Sequence, residues 1–295
     1  MSPRVSPQPA AWWLRALAHL PVPVFRMAGW VMGTGLMALA PRRRRVVQRN
    51  LALCFPQVSS WRRWHWTWQT FKYFSQSFLD RVWIWHGPSE RVRQRVSIDD
   101  PHGVLDREGA MLFFVPHFYG LDAGWARLTL CVPRRWWTFY APQGNPTMDR
   151  WVKAGRQRFG SPRLVSRREG LRPLLKGLRD GASLCLLPDM DHGDRNSIFV
   201  PFFGVQAATV TSLPRLASAA DVPVATLVCR MVPGGYRIHA GGVWSDFPMG
   251  DDAQDARRMN AELEHLILTM PGQYHWLHRR FKTRPAGAPP VYHDD

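Results

Sequence analysis

Several things are scarce in this 295-residue chain, and each scarcity removes a class of protein. Its 4 cysteines (Cys54, Cys131, Cys185, Cys229) lie far apart among apolar residues, with neither metal-ligand spacing nor the density of a disulfide framework. They are expected to be reduced core thiols in a reducing compartment. There is no Gly-x-Ser-x-Gly, and Cys185 falls inside an apolar run, so no activated nucleophile for a covalent acyl-enzyme is in view. Acid is scarce too: 22 Asp+Glu stand against 39 Lys+Arg, a formal charge of +17. Such a balance invites nucleic acid, but zinc-finger spacing, a recognition helix and a ribonucleoprotein sheet motif are all missing, and no nucleic-acid partner is expected. Long hydrophobic runs are absent. The run at 27–40 is 14 residues, short of the roughly 20 a spanning helix needs unless it is counted back past Arg26 to Leu20. No small-residue cleavage signature follows it, which argues against a signal peptide. Internal repeats and low-complexity segments are also missing.

What the chain has in abundance is arginine, which makes up nearly all of its basic residues, and 15 tryptophans. Guanidinium groups take phosphate bidentately, and indoles favour the membrane interface. Both concentrate in the first hundred residues, where the hydrophobic run is followed by Pro41-Arg-Arg-Arg-Arg45. Four arginines beside an apolar helix mark the cytoplasmic leaflet. The expected organisation is therefore a membrane-anchoring helix with a basic stop at 1–45, its first ten residues frayed, then a cytoplasmic body at 46–285 and a polar tail at 286–295. The anchor is either interfacial or marginally spanning. The partners this implies are an anionic membrane surface and an acidic, phosphate-bearing substrate.

Residues 46–87 are expected to be helical. Val47, Leu51 and Phe55 form one stripe, and Trp61, Trp64, Trp68, Phe71, Phe74 and Phe78 recur at intervals of three or four. That aromatic face either packs into the core or lines an acyl groove or lipid. After a polar connector at 88–110, strands near 111–115, 136–141, 163–165 and 183–187 alternate with helices near 119–130, 147–159 and 170–180. An apolar loop at 198–204, a helix at 207–219 that Pro214 would kink or start late, strands at 223–229 and 236–240 and a helix at 252–270 complete the body. The fold class is α/β, with a mixed, mostly parallel central sheet flanked by helices.

The chemistry concentrates where two apolar strands end in proline. The first end reads Pro116-His117-Phe-Tyr-Gly120-Leu-Asp122, the second Pro188-Asp189-Met-Asp191-His192. Two such ends converge at the carboxyl edge of a parallel sheet. On an ideal helix five steps turn a side chain by about 140°, so His117 and Asp122 meet only if His117 sits at or before the N-cap. A carboxylate on one ring nitrogen would fix the tautomer and strengthen the other as a base. Direct attack by a substrate hydroxyl, deprotonated by His117, is the reaction this favours. A metal centre would need a third ligand from Asp189, Asp191 or His192, and His-x4-Asp matches no usual ligand spacing.

These residues carry a resemblance. His117-x4-Asp122 after an apolar strand looks like the acceptor-base motif of the glycerolipid acyltransferase superfamily. More closely, the chain resembles the bacterial lipid A late acyltransferases, which transfer lauroyl or myristoyl chains. The resemblance also rests on Asn145-Pro146 through Gly155-Arg156, Gly170-Leu171 with Gly181, Pro188-Asp189-Met-Asp191-x-Gly193, Val200-Pro-Phe-Phe203, and the block from Gln273 to Pro285. The family most often has glutamate where this chain has Asp122. The resemblance implies acyl transfer from acyl carrier protein to a hydroxyl of a hydroxyacyl chain on a Kdo-bearing lipid A precursor. It needs no cofactor or metal and takes place at the cytoplasmic face of the inner membrane, with a single copy of the chain favoured. In that scheme His117 is the general base and Asp122 its orienter. Arg156 holds an anionic group, Asp189 and Asp191 shape or bind substrate, and Arg195 contacts phosphate. Arg279, Arg280, Lys282 and Arg284 would face head groups, carrier protein or water. The alternative is a glycerol-3-phosphate or lysophosphatidate acyltransferase, in which a Glu-Gly-Thr-Arg block would replace Pro188-Asp189-Met-Asp191.

Overall fold

The computed structural model describes residues 12–292; the expected frayed start at 1–10 and the last three residues of the tail lie outside them. Prolines punctuate the first helices. α1 (Trp12–Leu17) ends at a turn before Pro21, and α2 (Val22–Leu39) carries Pro23 in its first turn, where a missing N–H goes unnoticed. α3 (Pro41–Cys54) follows after a single residue. The four arginines at 42–45 are therefore its first turns, and the expected domain limit at 45 falls inside a helix. α4 (Ser60–His86) is the long aromatic helix, capped by the Ser59 hydroxyl, which accepts from the Arg62 N–H. Of its six spaced aromatics only Phe71 is buried, while Trp61 and Trp64 are exposed. The stripe that α4 buries runs instead through Thr67, Thr70, Ser75, Gln76, Asp80 and Trp83. Small and polar side chains let other helices approach closely there.

α5 (Ser89–Arg95) and β1 (Val96–Asp99) occupy the polar connector. The α/β body then follows in order: β2 (Leu112–Phe114), α6 (Leu121–Cys131), β3 (Trp136–Tyr140), α7 (Pro146–Arg156), β4 (Arg163–Ser166), α8 (Arg172–Arg179) and β5 (Ser183–Leu186). After these come β6 (Ser197–Phe202), β7 (Val205–Val210), α9 (Ser212–Ala220), β8 (Val224–Val232), β9 (Gly235–Val243) and α10 (Asp252–Thr269). Seven strands form one sheet in the order β1-β9-β8-β2-β5-β3-β4. Every neighbouring pair is parallel except β8–β9, a tight hairpin. Central strands covered on both faces read as continuous apolar runs, as β2 and β5 do. Phe113, Cys185, Leu227 and Ile238 pack against α6 and the end of α4, while Leu112, Phe114, Leu184 and Leu186 pack against α8, α9 and α10.

Two expectations are corrected. The apolar stretch at 198–204 is no loop: β6 and β7 pair antiparallel as a separate ribbon, with Phe202 wholly buried, and the helix of 207–219 takes the late start that Pro214 allows, at Ser212. The turn residues Phe203 and Gly204 both have positive φ, 49° and 78°, the geometry of a two-residue hairpin turn. Likewise the basic C-terminal block does not simply face outward. Arg280 is 1% exposed, lies over the Phe202 ring and donates to the carbonyl of Ala208, and Arg284 donates to that of Gln206. This block is a strap under the strand ends: Phe118 and Tyr274 form a bridge, His275 N–H donates to His117 O at 3.0 Å, and Tyr119 N–H donates to Gln273 O at 3.1 Å.

Candidate active site

β2 and β5 are parallel neighbours, with Leu112 opposite Leu184 and Phe114 opposite Leu186. Each leaves the sheet through a proline, and three residues beyond the last register pair stand His117 and Asp189. The same offset of 72 residues therefore carries through to the side chains (184 − 112 and 189 − 117). Asp189 Oδ1 is 2.7 Å from His117 Nδ1, and Oδ2 accepts the His117 backbone N–H at 3.0 Å. Burial alone would raise the Asp189 carboxyl, but the imidazole beside it and the N–H it accepts outweigh burial and hold it at about 2. An ionised carboxylate on Nδ1 keeps the proton there and leaves Nε2 as the acceptor. The His117 side chain is 29% exposed, so that nitrogen has access to a ligand.

The turn that presents His117 passes very close to β8. A Cβ at Gly120 would lie 2.1 Å from the Cys229 carbonyl oxygen, so only glycine fits. α6 then starts at Leu121, which puts Asp122 on its first turn, directed at α4 and α7. There Asp122 accepts from Arg81 Nε and Arg156 Nε, both at 2.8 Å, through different oxygens. Burial would raise its carboxyl; Arg156 and Arg81 together pull it down to about 2. The expected orienting role of Asp122 is therefore corrected: Asp189 pairs with His117, and Asp122 clamps two guanidiniums. Three charged groups leave this cluster with a net positive charge, and Asp122 and Arg156 line the same cavity as His117.

Asp191, expected at substrate, is occupied elsewhere. It accepts from Thr283 N–H at 2.7 Å, Thr283 Oγ1 at 2.8 Å and Gly193 N–H at 3.0 Å, which clips the 188–193 turn to the C-terminal strap. Its own N–H donates to His278 Nε2 at 3.0 Å. Arg156 and Arg195 both line a cavity of about 540 Å³ that opens at His117. Its rim is polar, with Gln143, Arg156, Arg167, His192 and Arg195 around the base. Its interior runs between α6 and the sheet, among Trp125, Leu128, Cys185, Leu227, Cys229 and Ile238. Desolvation and neighbouring cations push His192 and His278 down to about 4 and His275 to about 3, so the imidazoles surrounding His117 are uncharged near neutrality. A base poised over an apolar hole, with guanidiniums at the rim, is equipped to deprotonate a hydroxyl beside an acyl chain and an anionic group.

Arg81 was missed from sequence because it lies in the aromatic helix, 41 residues before Asp122. The Asp189 partnership had a signal: the Pro-x ends of two apolar strands align once β2 and β5 are taken as neighbours.

Residues 10–283 match the family described as bacterial lipid A biosynthesis acyltransferase. The lipid A biosynthesis palmitoleoyltransferase of Escherichia coli K12 is 32% identical over 282 residues, covering 93% of this chain and 90% of that protein. The lauroyltransferase of the same organism is 32% identical over 288 residues, covering 95% and 92%. The myristoyltransferase of that organism is 30% identical over 258 residues, covering 86% and 79%.

Proposed function

Because the chain belongs to the bacterial lipid A biosynthesis acyltransferase family, a family of transferases, we propose that it moves a fatty acyl chain from acyl carrier protein to a hydroxyl on a hydroxyacyl chain of a Kdo-linked lipid A precursor. The observation that carries this reading is the His117–Asp189 pair at the mouth of an apolar cavity. The acceptor hydroxyl gives its proton to His117 Nε2 as its oxygen attacks the thioester carbonyl, whose electrons move onto the carbonyl oxygen. Collapse of that tetrahedral species breaks the C–S bond, and the imidazolium returns the proton to the departing thiolate. Asp189 holds the tautomer and stabilises the imidazolium while it exists. Arg156, held by Asp122, and Arg195 at the rim offer charge to an anionic group of either substrate. The apolar interior between α6 and the sheet suits the donor chain.

The rest of the molecule agrees with this chemistry. A +17 protein attracts both an acidic carrier protein and an acceptor bearing phosphates and carboxylates. The apolar N-terminal helix and its arginines support residence at the cytoplasmic face of the inner membrane.

The test is direct. Purified protein is incubated with carrier-linked laurate, myristate or palmitate and a tetra-acylated Kdo-lipid A precursor, and product masses are read. One added chain is expected, with a rate loss of about 10²–10⁴ in His117→Ala. Transfer only to glycerol phosphates, or full activity in that variant, would overturn the reading.

A further inference from the structure

α2 has its polarity the wrong way round for a solvated helix. Its one ionisable side chain, Arg26, turns inward. There Nη1 stands 3.2 Å from the buried Asp80, and Nη2 donates to Gly235 O at 3.0 Å. Its outward face presents Val24, Met27, Trp30, Val31 and Leu39, with Met27 67% and Leu39 84% exposed. The exposed hydroxyl of Thr34, at the seam with α4, donates to the Trp30 carbonyl. This face does not stand alone: of the 15 large hydrophobic residues exposed among the described residues, 11 lie between Trp12 and Trp64. The same stretch of chain carries Arg42, Arg43, Arg44, Arg45, Arg49 and Arg62, and residues 1–79 contain no Asp or Glu at all. An acid-free basic segment with an apolar, tryptophan-rich face complements an anionic lipid surface.

By length and mean hydropathy α2 could cross a bilayer: its 18 residues average 1.3, and at 1.5 Å per residue they reach about 27 Å. Its packing forbids that orientation. The inner face is pressed against α4, where a Cβ at Gly29 would lie 2.5 Å from Gln76 Cγ and one at Gly33 2.7 Å from Lys72 Cα. Gln76 Nε2 donates to Arg26 O at 2.9 Å, and Trp68 Nε1 to Thr34 Oγ1 at 3.1 Å. α4 in turn carries Arg81, which pairs with Asp122, and Phe74, whose ring is 6.1 Å from that of Tyr119, two residues after His117. A perpendicular α2 would draw Lys72, Gln76 and Asp80 to the middle of the bilayer and pull the strand end holding His117 in behind them. Charges placed there are costly.

We propose that α2 does not span the membrane but lies flat in its interface, with the 24–27–31–38 face in the acyl boundary and both helix ends on one side. The protein is then monotopic, and α4 is the spacer that holds the active site a fixed distance above the lipid.

The depth of α2 tests this. Full-length protein with Cys131→Ser retains only the buried cysteines Cys54, Cys185 and Cys229. In that background a single bimane-labelled cysteine replaces Val24, Met27, Val31 or Ala38. The protein is bound to phosphatidylglycerol–phosphatidylcholine vesicles whose chains are brominated at shallow or deep positions. All four labels are expected to be quenched mainly by the shallow bromines, at a common depth of about 5–10 Å. A profile shallow at Val24, descending through Met27 to about 14 Å at Val31 and returning at Ala38 would mean a spanning helix and overturn the proposal. So would the absence of quenching, since the face would then lie in water or against protein. The measurement uses no substrate, so its outcome is separate from that of the acyl-transfer assay.

Discussion

Asp189 and Asp122 are both held at about 2, and for different reasons: one faces an imidazole, the other two guanidiniums. Replacing each by asparagine separates their roles. Asp189→Asn is expected to lower kcat by about 10²–10⁴ and also to lower melting temperature at neutral pH, because the tautomer of His117 loses its anchor and the buried carboxylate its charge. Asp122→Asn leaves Arg81 and Arg156 facing a neutral amide and is expected to cost about 1–3 kcal/mol in urea unfolding. That is less than for a fully buried pair, since these arginine side chains are 23% and 25% exposed. Both carboxyls also set an acid limit. Their folded values lie below the unfolded value of about 3.9, so their stabilisation is complete above that pH and is lost as pH falls toward 2. Melting temperature should therefore drop between about pH 4 and pH 2, and less steeply in each asparagine variant. His117 stood out in sequence as a histidine directly after a Pro-ended apolar run, and the second Pro-ended strand and the family blocks singled it out further. Its partner did not, because Asp122 lies nearer in sequence whereas Asp189 lies nearer across the sheet.

Among the elements, the C-terminal strap is the one the sequence disguised most. Its arginines read as a solvated basic tail, yet Arg280 is buried, and Asp191 fastens the strap through Thr283. Asp191→Ala removes the acceptor of three hydrogen bonds and is expected to lower stability by about 1–3 kcal/mol while leaving KM for the lipid acceptor unchanged. A tenfold rise in KM, measured beside a urea titration, would return Asp191 to the substrate. The β6–β7 hairpin was missed for a related reason. Phe203-Gly204 takes a two-residue turn that Asn-Gly would have advertised, and Phe202 looks exposed until α10 and the strap cover it. Helices with strong periodicity, such as α10 and its stripe of Ala256, Met259, Leu263 and Ile267, were placed within a residue or two.

For the whole molecule the charge has a kinetic consequence. If +17 steers an acidic carrier protein to the site, kcat/KM for the acyl donor should fall steeply between about 0.05 and 0.5 M salt while kcat holds. A flat salt profile in steady-state assays would remove the steering. Composition and periodicity alone determined the α/β class, the succession of β2 to β5, the basic apolar N-terminal third and the placing of His117 just beyond a strand end, because these depend on runs of residues adjacent in the chain. Tertiary structure decided which carboxylate meets that imidazole, which arginines surround Asp122, and how α2 is held. Each of these depends on sheet order or helix contact across 34 or more residues, a distance over which a one-dimensional pattern carries no geometry. The strand ending at His117 thus shows its histidine in sequence, and β5 beside it supplies the partner only when the sheet closes.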